Sequence, residues 1–261
     1  MIYNKEQRKE IYEDTLEYST QLLKENKIKP LKKSTKHKLI KQDISKQYSS
    51  KYNKTKINVL NQDVIKTVID LNQELIKSDK LNSKILVLNL ASDKHFGGGA
   101  INGAMAQEEE LFRKTNYGLH TGSELYPLKI NEFVYTPNVS IIKNENYERL
   151  TKKEIFQVDM LAMPALRRPR LINGELSDRD FDLTLNKISS IFKFAILNNI
   201  TDLVLGAMGC GVFKNPPLDI IEIYNMCLET YDKYFNNIIF SIKSINDDNY
   251  ELFNKNIVRI V

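Results

Sequence analysis

The sequence predicts an α/β protein in which buried strands alternate with helices. Short apolar runs alternate along the chain with segments that have the apolar period of an amphipathic helix. Most of the glycines fall in two windows, and each window follows an apolar run and precedes a helical segment. The 261 residues, of which 42% are apolar, suffice to bury a large core.

The elements are predicted in order from the N-terminus. Apolar residues at helical spacing predict an amphipathic helix over residues 5–25, and a lysine-rich connection follows it. Asp63 is placed to cap a helix that ends near Ile76, because an aspartate side chain accepts hydrogen bonds from the first amides of a helix. Further helices are expected over residues 105–114, 178–197 and 217–234, and strands over residues 57–60, 84–90, 133–135, 156–161, 203–207 and 237–242.

The composition excludes several classes of protein. No stretch approaches 18 uninterrupted apolar residues, and the N-terminus lacks the apolar core of a secretory signal. Cys210 and Cys227 are too few for a disulfide framework or a four-cysteine zinc site, and the three histidines lie far apart. We therefore expect an intracellular, cytoplasmic protein (nuclear if the source is eukaryotic) with no metal and no cofactor.

Positive charge is concentrated in residues 27–56. This segment holds eleven lysines and one aspartate, so its net charge is +10, whereas the whole chain has +5. A solvated connection is the first interpretation, because proteins that bind nucleic acid usually spread their basic residues over a folded face. The alternative is a weak contact with a polyanion or a targeting signal. The predicted division is an N-terminal helix and connection, residues 1–56, followed by one domain, residues 57–261.

The two glycine windows, residues 97–103 and 206–211, are candidate ligand-binding loops. In α/β proteins ligands bind beyond the carboxyl ends of the strands, where both windows lie. Glycines there adopt positive φ, which we expect at Gly211, and let backbone N–H groups approach a phosphate. Neither window has the Walker A or GxGxxG pattern. Two such loops can bind a diphosphate, although each alone can also be a tight turn.

Three consecutive glutamates follow the first window. If a helix starts by Met105, its period places Glu108 and Glu109 on one face together with Met105 and Phe112, and this face is expected to pack inward. Burial raises the pKa of a carboxyl, so such a group can donate a proton near neutral pH. Glu110 lies off this face and is expected in solvent. The alternative is an acidic first turn that the helix dipole stabilises.

A triple glycine at 97–99, seven residues and then Gln-Glu-Glu at 107–109 resemble the signature of poly(ADP-ribose) glycohydrolases, in particular the microbial branch. Residues 87–92, 135–139 and 206–216 agree with this resemblance. It implies a macrodomain-like three-layer α/β/α fold with a mixed central sheet. It also implies hydrolysis of ribose–ribose O-glycosidic bonds, mainly from the chain end, with release of ADP-ribose.

The resemblance implies roles for individual residues. Glu109 would be the general acid and base, which protonates the leaving 2′-oxygen and then activates the attacking water. Glu108 would hold ribose hydroxyls, and Gln107 would support the same sugar. The other implied ligand-binding residues lie in the two windows: Gly97, Gly98, Gly99, Asn102, Gly209, Cys210, Gly211, Val212 and Phe213. The expected partners are poly(ADP-ribose), ADP-ribose and ADP-ribosylated macromolecules.

Two positions depart from the microbial pattern. Phe96 stands where proline usually precedes the triple glycine, and Met208 stands where tryptophan is common, which puts loop support and pocket shape in question. One alternative function is an ADP-ribose-binding macrodomain without turnover, although such modules lack the Glu108–Glu109 pair. A second is a hydrolase of another ADP-ribosyl linkage, on protein or nucleic acid, which the same pocket would serve.

Overall fold

The structure, a computed structural model, describes residues 3–44, 47–245 and 247–259. The chain forms two compact units, the first from residues 1–37 and 89–163 and the second from residues 38–88 and 164–261. The predicted division between residues 56 and 57 stays a prediction. Residues 45 and 46 of the lysine-rich segment lie outside the described residues.

All of the predicted helices and strands are present. The described residues form the helices α1 (Lys5–Lys24), α2 (Val64–Lys77), α3 (Gln107–Lys114), α4 (Asp178–Leu197), α5 (Pro217–Tyr231) and α6 (Asn249–Asn256). The strands are β1 (Thr35–Lys38), β2 (Lys56–Leu60), β3 (Ile85–Asn89), β4 (Glu132–Ile141), β5 (Phe156–Ala162), β6 (Leu171–Ile172), β7 (Glu175–Leu176), β8 (Asp202–Leu205) and β9 (Asn237–Ser241). Strands β1, β6 and β7 and helix α6 were not predicted. No helix within the described ranges is long and apolar enough to cross a membrane.

Seven strands form a mixed sheet in the order β1-β4-β5-β3-β8-β9-β2, which confirms the predicted α/β class with a mixed sheet. In the second unit, β3, β8, β9 and β2 are parallel neighbours. The carboxyl ends of β3 and β8 therefore lie side by side. In the first unit, β4 and β5 are antiparallel, and their register shifts between Thr136 and Val139.

Short polar side chains determine where the helices begin. Asn4 and Gln7 form a capping box at the start of α1, with the Gln7 backbone N–H donating to Asn4 Oδ1 at 3.0 Å. Asp63 caps α2 as predicted, because its Oδ1 accepts from the Ile65 N–H at 2.9 Å. Ser177 caps α4 by accepting from the Asp180 N–H at 3.3 Å. These caps satisfy amides that have no partner inside the helix.

The lysine-rich segment is more structured than the solvated connection that the sequence favours. It contains the strand β1, and the Ser34 and Thr136 hydroxyls, which lie 2.8 Å apart, are both buried. Further along, the Thr55 hydroxyl donates to the Phe235 carbonyl at 2.6 Å. The described lysines of the segment are nevertheless all exposed. The backbone is held by these contacts while the charges stay in water.

Candidate active site

The first glycine window leads from β3 to α3 and surrounds two carboxyl groups. Gly97 and Gly98 have left-handed backbone conformations, with φ of 79° and 57°. Glu108 and Glu109 lie in the first turn of α3 and are only 3% and 7% exposed. The predicted burial of both carboxyl groups is therefore confirmed.

Both carboxyl oxygens of Glu108 accept hydrogen bonds. Asn89 Nδ2 donates to Oε1 at 3.1 Å, and the Ser92 backbone N–H donates to Oε2 at 2.7 Å. Burial raises the pKa of Glu108 to about 8, and the nearby charge of Glu109 adds to that rise, while the hydrogen bonds oppose it. The raised pKa favours the protonated form of Glu108 near neutral pH.

Glu109 has one engaged oxygen and one unengaged oxygen. The Gly99 backbone N–H donates to Oε1 at 2.8 Å, which fixes the direction of the side chain. Oε2 is buried and accepts no hydrogen bond from any of the described residues. A buried oxygen without a partner is costly in the free protein, and it is available to exchange a proton with a bound molecule.

Steric fit explains why glycines surround these groups. A Cβ atom on Gly98 would lie 2.4 Å from Glu109 Oε1 and 2.9 Å from Glu108 Oε2. A Cβ on Gly97 would lie 2.6 Å from the Phe112 ring, and one on Gly99 would lie 2.8 Å from the Cβ of Ala104. Any other residue at Gly97 or Gly98 would push α3 or its carboxyl groups away from the loop.

The other two residues predicted for this site lie at its edge. The Gln107 side-chain oxygen accepts from the Leu90 backbone N–H at 2.9 Å, which joins the start of α3 to the segment after β3. Asn102 is exposed and ends a short 3₁₀ helix, Ala100–Asn102. The structure thus brings the triple glycine, Gln107, Glu108 and Glu109 together, with Asn102 on the outer surface of the same loop.

The prediction that Met105 begins α3 and faces inward is wrong. Met105 precedes the helix and is 64% exposed, because Ala106 is the N-cap and has an extended backbone with φ of −147°. The helix therefore begins at Gln107. Glu108 and Phe112 are four residues apart and therefore share one face of the helix. This spacing, without Met105, is enough to place both carboxyl groups and the Phe112 ring in the interior.

The prediction that Glu110 is solvated is also wrong. Its side chain is only 17% exposed and forms ion pairs with the buried Arg113 and Lys114, each at 2.9 Å. It also accepts a hydrogen bond from the Tyr147 hydroxyl at 2.6 Å. Burial acts to raise the pKa of Glu110, but the charges of Lys114 and Arg113 outweigh it and hold the pKa below its usual value. Glu110 thus pairs with two buried cations of its own helix.

Phe96, which departs from the microbial pattern, belongs to an aromatic cluster beneath the window. Its ring centroid lies 4.9 Å from that of Phe112, 5.1 Å from that of Tyr117 and 5.9 Å from that of Tyr126. A Cβ on Gly122 would lie 2.6 Å from the Phe96 ring, so the backbone at Gly122 also packs closely against this ring. Phe96 therefore supports the loop through ring packing in place of a proline.

The second glycine window, in the second unit, is closed by an asparagine. The Asn215 amide donates to the Leu166 carbonyl at 2.7 Å and to the Gly209 carbonyl at 3.2 Å. Gly209 has a φ of 81°, and a Cβ there would lie 2.4 Å from Asn215 Nδ2. The positive φ expected at Gly211 is thus found at Gly209 instead. A Cβ on Gly211 would meet nothing within 4 Å.

At the tip of this window, three consecutive backbone amides have no acceptor among the described residues. Gly211 and Val212 are exposed, and Phe213 is half-buried beneath the Arg167 guanidinium, 4.2 Å from the ring centroid. No described residue accepts a hydrogen bond from the backbone N–H of Gly211, Val212 or Phe213. Backbone amides without an internal acceptor are available to bind an anion.

Cys210 and Met208 are interior residues of the second window. Burial raises the pKa of the Cys210 thiol to about 12, so the thiolate that a nucleophile requires is absent at neutral pH. Met208 is fully buried, and it fills space inside the loop rather than facing a ligand. Both the Cys210 backbone N–H, which donates to the Ala207 carbonyl at 3.2 Å, and its thiol, which donates to the Met208 carbonyl at 3.8 Å, hold the loop together.

Sequence analysis missed Asn89 and Asn215, which hold the two windows in place. Asn89 is fully buried at the end of β3, and its amide binds Glu108. The detectable signal was one polar residue inside the continuous apolar run of residues 84–90. Asn215 precedes Pro216, and it could have been singled out as a short polar residue between a glycine window and a helix start.

The family model of the microbial-type PARG catalytic domain matches residues 5–144, which is more than half of the chain. This chain belongs to the microbial-type PARG family. The matched residues include the first glycine window, its two buried glutamates and the preceding strand β3. PARG is poly(ADP-ribose) glycohydrolase, so membership places the chain among the glycoside hydrolases.

Solved structures of bacterial PARG proteins share the fold. PARG from Thermomonospora curvata is 18% identical with a TM-score of 0.71, over 96% of this chain and 99% of that chain. The same protein bound to the inhibitor ADP-HPD gives 20% identity and a TM-score of 0.70, over 96% and 99% of the two chains. PARG from Deinococcus radiodurans in complex with ADP-ribose is 23% identical with a TM-score of 0.63, over 77% of this chain and 84% of that chain. The predicted macrodomain-like fold is thereby confirmed. A comparison with curated proteins finds no match to this chain.

Proposed function

We propose that this chain hydrolyses the ribose–ribose O-glycosidic bonds of poly(ADP-ribose), mainly from the chain end, and releases ADP-ribose. The observation that supports this most is the pair of buried glutamates beneath a glycine loop, one of which has an unpartnered oxygen. The bacterial relatives bound to ADP-ribose and to ADP-HPD support the choice of ligand.

Glu109 is the proposed general acid and base. Protonated Oε2 donates its proton to the leaving 2′-oxygen as the glycosidic C–O bond breaks and the sugar becomes oxocarbenium-like. A water molecule then attacks the anomeric carbon, and the Glu109 carboxylate removes its proton. The Gly99 N–H holds Oε1 throughout, so the same oxygen, Oε2, can serve in both steps. The net reaction adds one water and returns Glu109 to its protonated form.

Glu108 is the proposed ribose-positioning residue. Because both of its oxygens already accept hydrogen bonds from Asn89 and Ser92, its position is fixed before substrate binds. In its protonated form it can donate a hydrogen bond to a ribose oxygen. A neutral Glu108 also places no negative charge near a diphosphate ligand.

The second glycine window is proposed to bind the diphosphate of ADP-ribose. Its free amides at Gly211, Val212 and Phe213 are the observation that supports this role. The Phe213 ring, with one face beneath Arg167, would pack on a sugar or a base. The Asn215 amide donates to the Gly209 carbonyl and so keeps the turn closed.

Product analysis by chromatography tests the activity. Purified protein should release monomeric ADP-ribose from poly(ADP-ribose) from the earliest time point, and it should do so in excess EDTA. Early release of long oligomers would contradict chain-end cleavage. Polymer binding without any product would identify a binding module. Release of ADP-ribose only from mono-ADP-ribosylated protein or nucleic acid would identify a hydrolase of another linkage.

A cytoplasmic location is also part of the proposal. Cys210 and Cys227 are buried and unpaired, which fits a compartment that keeps thiols reduced. Fractionation of cells that express the tagged chain tests this location. Recovery in a secreted or membrane fraction would contradict it.

A further inference from the structure

Three lysines, Lys29, Lys32 and Lys33, form a basic stretch on the first unit. All three are exposed, and within the described residues none of them pairs with an acidic side chain. By contrast, Lys27 pairs with Glu25 and Lys36 pairs with Glu132 at 3.5 Å. The stretch is therefore the part of the segment 27–36 whose charge is uncompensated.

The backbone of the basic stretch is anchored on both sides. Ile28 is 8% exposed and packs in a cluster with Leu22 and Ile142. After the lysines, the Ser34 hydroxyl is buried against that of Thr136. Between these anchors, the Lys32 carbonyl accepts a hydrogen bond from His120 Nδ1 at 3.0 Å. The backbone that carries the three lysines is therefore held in place, although their side chains lie in solvent.

These anchors belong to the packing that surrounds the candidate active site. The His120 ring lies 6.4 Å from the Tyr117 ring, and Tyr117 lies 4.6 Å from Phe112 on α3. Phe112 is one helical turn after Glu108, on the same face of α3. The basic stretch is therefore joined to the catalytic helix through a short series of packed rings within one unit.

We propose that the basic stretch binds phosphates of the poly(ADP-ribose) chain beyond the unit that occupies the active site. This inference rests on the proposed function, because each unit of that polymer contains a diphosphate. The exposed lysines contribute charge attraction to a regular polyanion, and this attraction is sensitive to salt. The stretch would raise the affinity for long chains and leave the binding of one ADP-ribose unit unchanged.

The test compares two triple variants with equal loss of charge. One variant combines Lys29→Gln, Lys32→Gln and Lys33→Gln. The control combines Lys77→Gln, Lys153→Gln and Lys255→Gln, three exposed lysines outside the lysine-rich segment. Each triple is made in the active enzyme for kinetics and in a Glu109→Gln background for binding of labelled long polymer by fluorescence anisotropy.

The basic-stretch variant should bind long polymer about tenfold more weakly at low salt, and its slope of log affinity against log salt should fall by roughly 2. Its KM for long polymer should rise, with kcat and calorimetric ADP-ribose binding unchanged. Wild-type-like polymer affinity at low salt, or an equal loss in the control, would overturn the inference. Failure of the proposed function would look different, because the wild-type chain would then release no ADP-ribose from polymer of any length.

Discussion

In the first glycine window, side chains press against the glycines, whereas in the second window one glycine faces open space. A Cβ on Gly98 would collide with both carboxyl groups, but a Cβ on Gly211 would meet nothing. In the second window, Gly209 requires glycine, because its φ is 81° and a Cβ there would collide with the Asn215 side chain. The first window therefore uses glycine to bring carboxyl groups against the backbone, and the second uses it to leave amides uncovered. Two similar sequence patterns thus serve different chemistry.

Among the glycine substitutions, Gly98→Ala should have the largest effect, because it tests close packing in the first window. Its Cβ would displace Glu109 and Glu108, and a misplacement of about 1 Å can cost roughly a hundredfold in rate. Gly174→Ala is the matched control, since Gly174 has a φ of 90° but no atom near its Cβ. Steady-state kinetics should show kcat lost only in Gly98→Ala. More than about a tenth of the activity retained would mean that the window tolerates a side chain.

Glu110→Gln should mainly destabilise the helix that follows the first window. It removes the negative charge that pairs with Arg113 and Lys114, which are 0% and 1% exposed. Breaking a buried ion pair on one side costs about 3 kcal/mol. Urea unfolding should detect this loss, while kcat per folded molecule stays near that of the wild type. An unchanged free energy of unfolding would show that the ion pairs of Glu110 do not stabilise the folded protein.

The buried Glu108 should make stability fall as pH rises. Its folded pKa of about 8 lies above the ordinary value of 4.5, so the folded state binds the proton more tightly. The stabilisation is complete below about pH 4.5 and is lost as pH rises through about 8. Relative to Glu108→Gln, the wild type should lose up to about 1.4 kcal/mol per pH unit in this window. Parallel stability–pH curves for the two proteins would contradict the raised pKa.

Gly211 in the second window should give the smallest change in stability. Gly209→Ala should cost more than the roughly 1–2 kcal/mol of the left-handed conformation alone, because its Cβ would also lie 2.4 Å from Asn215 Nδ2. Gly211→Val should change stability by less than about 0.5 kcal/mol, as exposed substitutions do. Calorimetry should nevertheless show weaker ADP-ribose binding by Gly211→Val, since a branched side chain covers the free amides. Wild-type affinity in the folded variant would remove this window from the site.

Patterns along the chain predicted the elements well, because local periodicity and capping residues determine them. The helix Asp178–Leu197 and the cap at Asp63 follow from such local signals. Strand β1 was missed because its lysine-rich sequence has no apolar alternation, and its support comes from distant residues such as Thr136. Glu110 was misjudged because spacing does not reveal that its neighbours Arg113 and Lys114 are buried, nor that Tyr147, far along the chain, binds it. Spacing places a side chain on a face of a helix, but it does not identify the partners that face meets.

Glu109→Gln, compared with Glu110→Gln, tests the central claim most directly. Each change removes one carboxylate from the first turn of α3. Glu109→Gln should bind ADP-ribose and unfold like the wild type, yet lose kcat on poly(ADP-ribose) by roughly 10³–10⁴-fold, the upper end for general acid–base groups. Glu110→Gln should show the opposite pattern, with lower stability and nearly intact kcat. If Glu109→Gln keeps more than about a tenth of the wild-type kcat, its unpartnered oxygen does not transfer the proton.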